Sequence, residues 1–249
     1  MEEKNAAVSA PKGKRKHSKQ PLCENLSFAA KEAFKRLRTN LVMSFPQEDT
    51  SCHLIGVTSA QPSDGKSTIA INLAYTLSEL GKKTLLIDAD MRRSSIHEKA
   101  GVEKSPGLSN LMGSVNSISS AMRTYQSSNS NTSFTIIPGG DPVQNPSELL
   151  NSKRMTTLLQ TLSTTYDYIV IDLPPIGAVA DAISIAREID GMLVVIRENT
   201  CPRSLLADCM QQLNYAGANV LGFVVNGALE GSGKKYQYDK KYGYYNNYY

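Results

Sequence analysis

Residues Ala60 to Thr68 read AQPSDGKST, a stretch whose residue types suit the binding of a polyphosphate. Gly65 lets the backbone turn tightly. The N–H groups of the loop and of the helix that follows offer partial positive charge to an anion. Lys66 can reach the β- and γ-phosphates, and the Ser67 hydroxyl can ligate Mg²⁺. Ser63, Asp64 and Thr68 complete the cradle. The pattern G-x-x-x-x-G-K-[ST] is met except at its first position, where Ala60 stands in place of glycine.

Three carboxylates belong to the same chemistry. Asp172 follows the apolar run YIVI, as expected of an acid held near Mg²⁺ by a rigid strand. Taken alone, it could equally be a turn former. Asp88 and Asp90 follow the run LLI. Residues two apart on a strand share a face, so both could point at one site. One carboxylate would then serve Mg²⁺ and the other would receive a proton. The competing reading is a helix N-cap plus a surface acid. ATP is expected rather than GTP, because the guanine-reading sequence N-K-x-D is absent and the last apolar run ends VNGA at 225–228.

A possible acceptor lies at the other end of the chain. Seven of the 12 tyrosines fall in the last 14 residues: Tyr236, Tyr238, Tyr242, Tyr244, Tyr245, Tyr248 and Tyr249. Gly, Asn and Lys punctuate this segment, which has no helical or strand periodicity. It could be a sticky terminus that packs by aromatic contacts. Beside an ATP site it reads as a substrate. From Gly231 onward the chain could reach ~60 Å at ~3.3 Å per residue, far enough for its own site or a neighbour's.

The elements that must hold these groups follow from apolar spacing. Ala30, Phe34, Leu37, Leu41 and Phe45 predict a helix over 27–45, capped by Ser27 and ended by Pro46. Strands are predicted at 53–58, 83–87, 134–137, 168–171, 191–196 and 220–225. Helices are predicted at 67–80, closed by Gly81, and at 147–164, 181–187 and 202–216. Residues 94–132 are less regular. Short Ile/Val/Leu strands alternating with helices imply an α/β fold, a P-loop NTPase with a mostly parallel central sheet covered on both faces. Ligands on such sheets bind at the carboxyl ends of the strands, where Asp88 and Asp172 would lie.

Composition bounds the rest. The 249 residues, 41% hydrophobic, suffice for one large domain. We divide the chain into a flexible basic lead at 1–26, a P-loop domain at 27–230 and a disordered tyrosine cluster at 231–249. Lys12, Lys14, Arg15, Lys16 and Lys19 form a run that suits either solvent or an anionic membrane surface. Cys23, Cys52, Cys201 and Cys209 include no CxxC pair and read as reduced thiols. No secretory signal and no ~20-residue apolar span is expected. Membrane association would therefore come through charge or through a partner.

Together these motifs resemble the bacterial tyrosine kinases of capsular and exopolysaccharide synthesis, in their low-GC Gram-positive form. The resemblance covers about residues 27–249. It rests on EAFKRLRTNL at 32–41, the phosphate loop, IDADMRR at 87–93, NPSELL at 145–150, DLPP at 172–175 and the tyrosine tail. It implies ATP-dependent autophosphorylation within a ring-shaped oligomer, each tail entering a neighbour's site. Lys66 would hold phosphate, Ser67, Asp88 and Asp172 would serve Mg²⁺, and Asp90 would be the candidate base. Asn226 matches a position that contacts adenine. The ring-building motif E-x-x-R-x-x-R reads Glu32, Lys35, Arg38 here, with lysine in the middle, which keeps the charge but loses the bidentate fork. Ser94 stands where the family commonly has proline.

The resemblance also implies a cytoplasmic protein, recruited to the inner face of the membrane by a membrane-spanning activator. A tyrosine phosphatase is an expected partner and nucleic acid is not. Two other functions were weighed. A ParA/MinD-like ATPase shares this architecture, but carries an extra lysine where this chain has Gln61, and has no evident use for the tail. A non-enzymatic scaffold, phosphorylated by another kinase, has no evident use for Lys66, Asp88, Asp90 and Asp172.

Overall fold

The structure is a computed structural model, and it describes residues 22–46, 52–113, 117–177 and 181–227. The basic run of the lead and the seven tail tyrosines lie outside these residues. The described residues form a seven-stranded sheet. Its strands are β1 (His53–Ser59), β2 (Thr84–Asp88), β3 (Arg123–Gln126), β4 (Ser133–Ile137), β5 (Tyr168–Asp172), β6 (Gly191–Arg197) and β7 (Val220–Asn226). Their order is β3-β4-β2-β5-β1-β6-β7. Every pairing is parallel except β3 with β4. β1, β2 and β5 are buried along their whole length, which is why each reads as a continuous apolar run rather than an alternating one.

Two helices make a double layer on one face. α1 (Phe28–Met43) begins at Ser27, whose hydroxyl accepts the Ala30 N–H at 3.3 Å. It lies over α2 (Lys66–Ser78), in which every residue but Thr68 is buried. A helix packed between sheet and outer helix needs no polar stripe. Its buried polar side chains bond back to their own turn: Asn72 to the Thr68 carbonyl, Thr76 to that of Leu73 and Ser78 to that of Tyr75. The remaining helices are α3 (Ile96–Ala100), α4 (Leu108–Gly113), α5 (Pro146–Leu150), α6 (Lys153–Ser163), α7 (Asp181–Ser184) and α8 (Arg203–Tyr215). Residues from α4, α5, α6 and α8 pack with the other face of the sheet. No helix among the described residues is long and apolar enough to cross a membrane.

Three expectations change. Residues 94–132 contain two short helices and β3, so they are more ordered than their irregular pattern suggested. The helix expected over 147–164 is two helices, α5 and α6. Ser152 interrupts it with extended backbone and starts α6 by accepting the Met155 N–H at 3.3 Å. The helix expected over 181–187 is a short α-turn followed by a 3₁₀ turn at Ala186–Glu188.

Candidate functional site

Strand register brings the first two acids together. Asp88 and Asp172 end adjacent strands and are direct partners in the β2–β5 ladder, so their side chains leave the same face about one strand spacing apart. Both residues are fully buried. The loop after Asp172 is fastened to the end of β1: the Leu173 N–H donates to the Val57 carbonyl, the Ile176 N–H to that of Ser59, and the Thr58 hydroxyl to that of Pro174.

The phosphate loop connects β1 to α2. Gly65 adopts a left-handed φ of 97°, and a Cβ there would collide with the Asn226 amide. That amide donates to the Asp64 carbonyl at 2.8 Å, so the end of β7 braces the loop. Ser63 is also left-handed, at φ 71°. The Asp64 carboxylate turns inward and accepts from the Gln61 N–H and side-chain amide, each at 3.3 Å. Gln61 in turn donates to the Thr200 carbonyl at 3.2 Å, tying the loop to the segment before α8. Asp64 thus supports the cradle from behind. Ser63, Gly65, Lys66, Ser67, Thr68, Asp90 and Asn226 line an open cleft of about 590 Å³.

Lys66 is the cation of the cluster. Its Nζ lies 2.7 Å from Asp90 Oδ2 and 3.5 Å from Asp172 Oδ1. Burial alone would lower its pKa; Asp172, Asp90 and Asp88 outweigh burial and hold it above the ordinary lysine value. Burial, and then the charge of Asp172, push the Asp88 carboxyl up to about 7. Burial also raises Asp172, against the pull of Lys66 and Ser67. One ammonium cannot neutralise three acids.

Asp88 Oδ1 is buried with no hydrogen-bond donor, and the buried Asp172 carboxylate is met by Lys66, 3.5 Å from Oδ1, and by the Ser67 hydroxyl. Leaving such groups unsatisfied costs about 1–3 kcal/mol or more each. Buried carboxylate oxygens short of donors, next to a phosphate cradle and the Ser67 hydroxyl, fit Mg²⁺, which commonly takes one or two carboxylates. No three His, Cys, Asp or Glu side chains converge as a metal cage among the described residues.

The three residues expected at a subunit interface sit on α1. Glu32 and Lys35 pair with each other at 2.8 Å. Arg38 is directed into its own chain, donating to the Thr76 carbonyl at 2.7 Å and meeting Glu79 at 3.5 Å. Sequence reasoning missed Arg93, Lys99 and Arg197, which also line the cleft. Arg197 had a readable signal: it ends β6 on the same carboxyl edge as Asp88 and Asp172.

Comparisons with known proteins place the fold in a family. Residues 53–214 match the family model of an AAA domain. Tyrosine-protein kinase YwqD of Bacillus subtilis strain 168 is 35% identical over 214 residues, covering 86% of this chain and 85% of its own length. Tyrosine-protein kinase etk of Escherichia coli K12 is 31% identical over 215 residues, covering 86% of this chain but 29% of its own length. The chain therefore spans less than a third of that longer relative. Among solved structures, the kinase domain of Escherichia coli ETK superposes with a TM-score of 0.75 at 30% identity, over 82% of this chain and 78% of that one. The septum site-determining protein MinD of Pyrococcus horikoshii, solved with Mg-ADP, reaches 0.57 at 25% identity over 72% of each chain.

Proposed function

The chain belongs to the bacterial tyrosine-protein kinase family, and from that premise we propose that it moves the γ-phosphoryl group of ATP to tyrosine hydroxyls of its own C-terminal cluster. The observation that carries this reading is the pair of buried carboxylates, Asp88 and Asp172, side by side at the strand ends next to Lys66 of the phosphate loop. Lys66, Ser67 and the loop N–H groups bind and orient the β- and γ-phosphates. Asp88, Asp172 and Ser67 would hold Mg²⁺, which would supply charge neutralisation on the phosphate oxygens. Asn226, Gly227 and Arg197 form the wall available to the adenine.

The transfer breaks the bond between the γ-phosphorus and the β–γ bridging oxygen and forms one to the tyrosine oxygen. The tyrosine proton must leave. With a pKa near ~10, the phenol is protonated at neutral pH. The phosphoryl transition state is loose, so the proton departs late, to Asp90. Positioning then matters more than base strength. In this structure Asp90 is paired with Lys66; bound phosphate would draw Lys66 toward itself and free the carboxylate.

The same reading extends to the cell. We place the protein in the cytoplasm, at the inner face of the membrane, docked on the cytosolic segment of a spanning activator and acting in capsule or exopolysaccharide synthesis. Copies assemble in a ring that passes each tail to a neighbour, and a tyrosine phosphatase resets it. Each phosphotyrosine adds about −1.5 to −2 charges, so a fully modified tail loosens the ring. The deciding experiment is incubation of the full chain with labelled ATP and Mg²⁺, with and without an activator fragment. Label on tyrosines 236–249 is expected. Free phosphate as the sole product under both conditions would instead indicate a MinD-like ATPase.

A further inference from the structure

We propose that Ser94 is a positioning residue for the Asp88 carboxylate: its hydroxyl helps tie down one oxygen so that the other alone faces the ion. The proposal rests on the reading above that Asp88 serves Mg²⁺. Three donors converge on Asp88 Oδ2, namely the Ser94 hydroxyl at 2.8 Å and the backbone N–H groups of Ser95 and Ile96, each at 3.1 Å. Oδ1 receives none and is buried. A carboxylate has about four lone-pair sites on its two oxygens. Here one oxygen is crowded with donors and the other is empty. A carboxylate fixed in this way offers Mg²⁺ a single oxygen, which suits the near-ideal octahedron that ion demands.

The Ser94 hydroxyl is itself held from two sides. It has one proton, which goes to Asp88. Its 3.3 Å contact with His97 Nδ1 is therefore one in which the serine oxygen accepts, from the tautomer protonated at Nδ1. On the other side stands Gly139, just past β4. A Cβ at Gly139 would lie 2.7 Å from Ser94 Oγ and 2.8 Å from Ser94 Cβ. The absence of that methyl lets the loop close over Ser94 and keep its hydroxyl on Asp88. The third donor to Asp88 comes from this chain's own serine.

Two substitutions probe the same contact from opposite sides. Ser94→Ala removes the hydroxyl; Gly139→Ala leaves it in place but pushes it off Asp88. The readout is Mn²⁺ binding to the full chain in the presence of ADP, followed by electron paramagnetic resonance, with ADP affinity in the absence of metal and Tm measured alongside. Partners that orient a metal ligand typically contribute about 10–100-fold to metal affinity. Both variants should bind Mn²⁺ about 10-fold more weakly and metal-free ADP as the wild type does. Wild-type Mn²⁺ affinity in a folded Ser94→Ala protein would overturn the proposal, and so would a loss in metal-free ADP affinity equal to the loss for Mn²⁺. Should Ser94→Ala fold poorly, Gly139→Ala is judged by the same two criteria. Asp88→Asn separates this proposal from the reading beneath it. If Asp88→Asn loses the ion while Ser94→Ala and Gly139→Ala keep it, only the role of Ser94 fails. If Asp88→Asn binds Mn²⁺ normally, the assignment of Asp88 to the metal fails as well.

Discussion

The charges at the carboxyl edge of the sheet and those along α1 are handled in opposite ways. On α1, Glu32 meets Lys35, and Arg38 meets a backbone carbonyl and Glu79, so each charge has a partner. At the edge, three buried acids crowd around Lys66, and Asp88 Oδ1 has no donor. The α1 arrangement is complete without a ligand. The edge arrangement is in deficit until cation and phosphate arrive. Buried charge without full compensation is costly, and groups perturbed in this way cluster at functional sites.

The largest effect should come from removing Lys66, the cation paired with Asp90 and Asp172. Lys66→Met is expected to lower tail phosphorylation by about 10³-fold or more, a loss comparable to removing a preorganised electrostatic group, read by anti-phosphotyrosine blot. It also strands Asp90 and Asp172, so its Tm should fall, whereas Lys35→Met on α1 should leave Tm close to wild type.

Removing an acid should do the reverse to stability. Asp88 holds its proton more tightly when folded than the ordinary value of 3.8, up to about 7. Over that window the folded state binds more protons than the unfolded one, so stability falls as pH rises. Asp88→Asn abolishes the penalty. In metal-free protein its Tm should exceed that of the wild type by about 2–4 °C for each ~1 kcal/mol recovered. The difference should grow from pH 4 to pH 7 and then level off, while phosphorylation is lost. A Tm gain independent of pH would break the comparison.

A smaller effect is expected where the edge is braced. Asn226→Ala removes the bond from β7 to the Asp64 carbonyl and the contact with Gly65. A net hydrogen bond is worth about 1 kcal/mol, so nucleotide affinity should fall about 5- to 10-fold by calorimetry. The α1 charges should act on stability and leave nucleotide affinity unchanged. Arg38→Ala should cost about 1–2 kcal/mol in urea unfolding, because it leaves a part-buried carbonyl unpaired. Lys35→Ala should cost under ~0.5 kcal/mol, as exposed pairs do. A large loss of oligomer mass in Lys35→Ala, with no loss of stability, would show that this pair serves the proposed ring.

The same contrast explains what could be read from the sequence. The phosphate loop, the apolar strands and the acids at their ends were legible because each is a local pattern: an Ile/Val run, a glycine turn, a hydroxyl beside a lysine. β3 was missed because its four residues, RTYQ, carry no apolar run and are held by pairing with β4. The break before α6 depended on Ser152 capping rather than continuing a helix, a choice that helical spacing does not reveal. The direction of Arg38 was hidden because its carbonyl partner lies 38 positions away. Ser94 was noticed only as a departure. Its meaning needed the Asp88 carboxylate and the space left by Gly139, which meet only in three dimensions.

The most direct test is a crystal structure of the full chain with ADP and Mg²⁺. The ion is expected between the β-phosphate, the Ser67 hydroxyl and the carboxylates of Asp88 and Asp172, with Asp88 Oδ2 still held by Ser94, Ser95 and Ile96. An ion bound elsewhere, with Asp88 Oδ1 and the oxygens of Asp172 still turned away from it, would rule out Asp88 and Asp172 as its ligands.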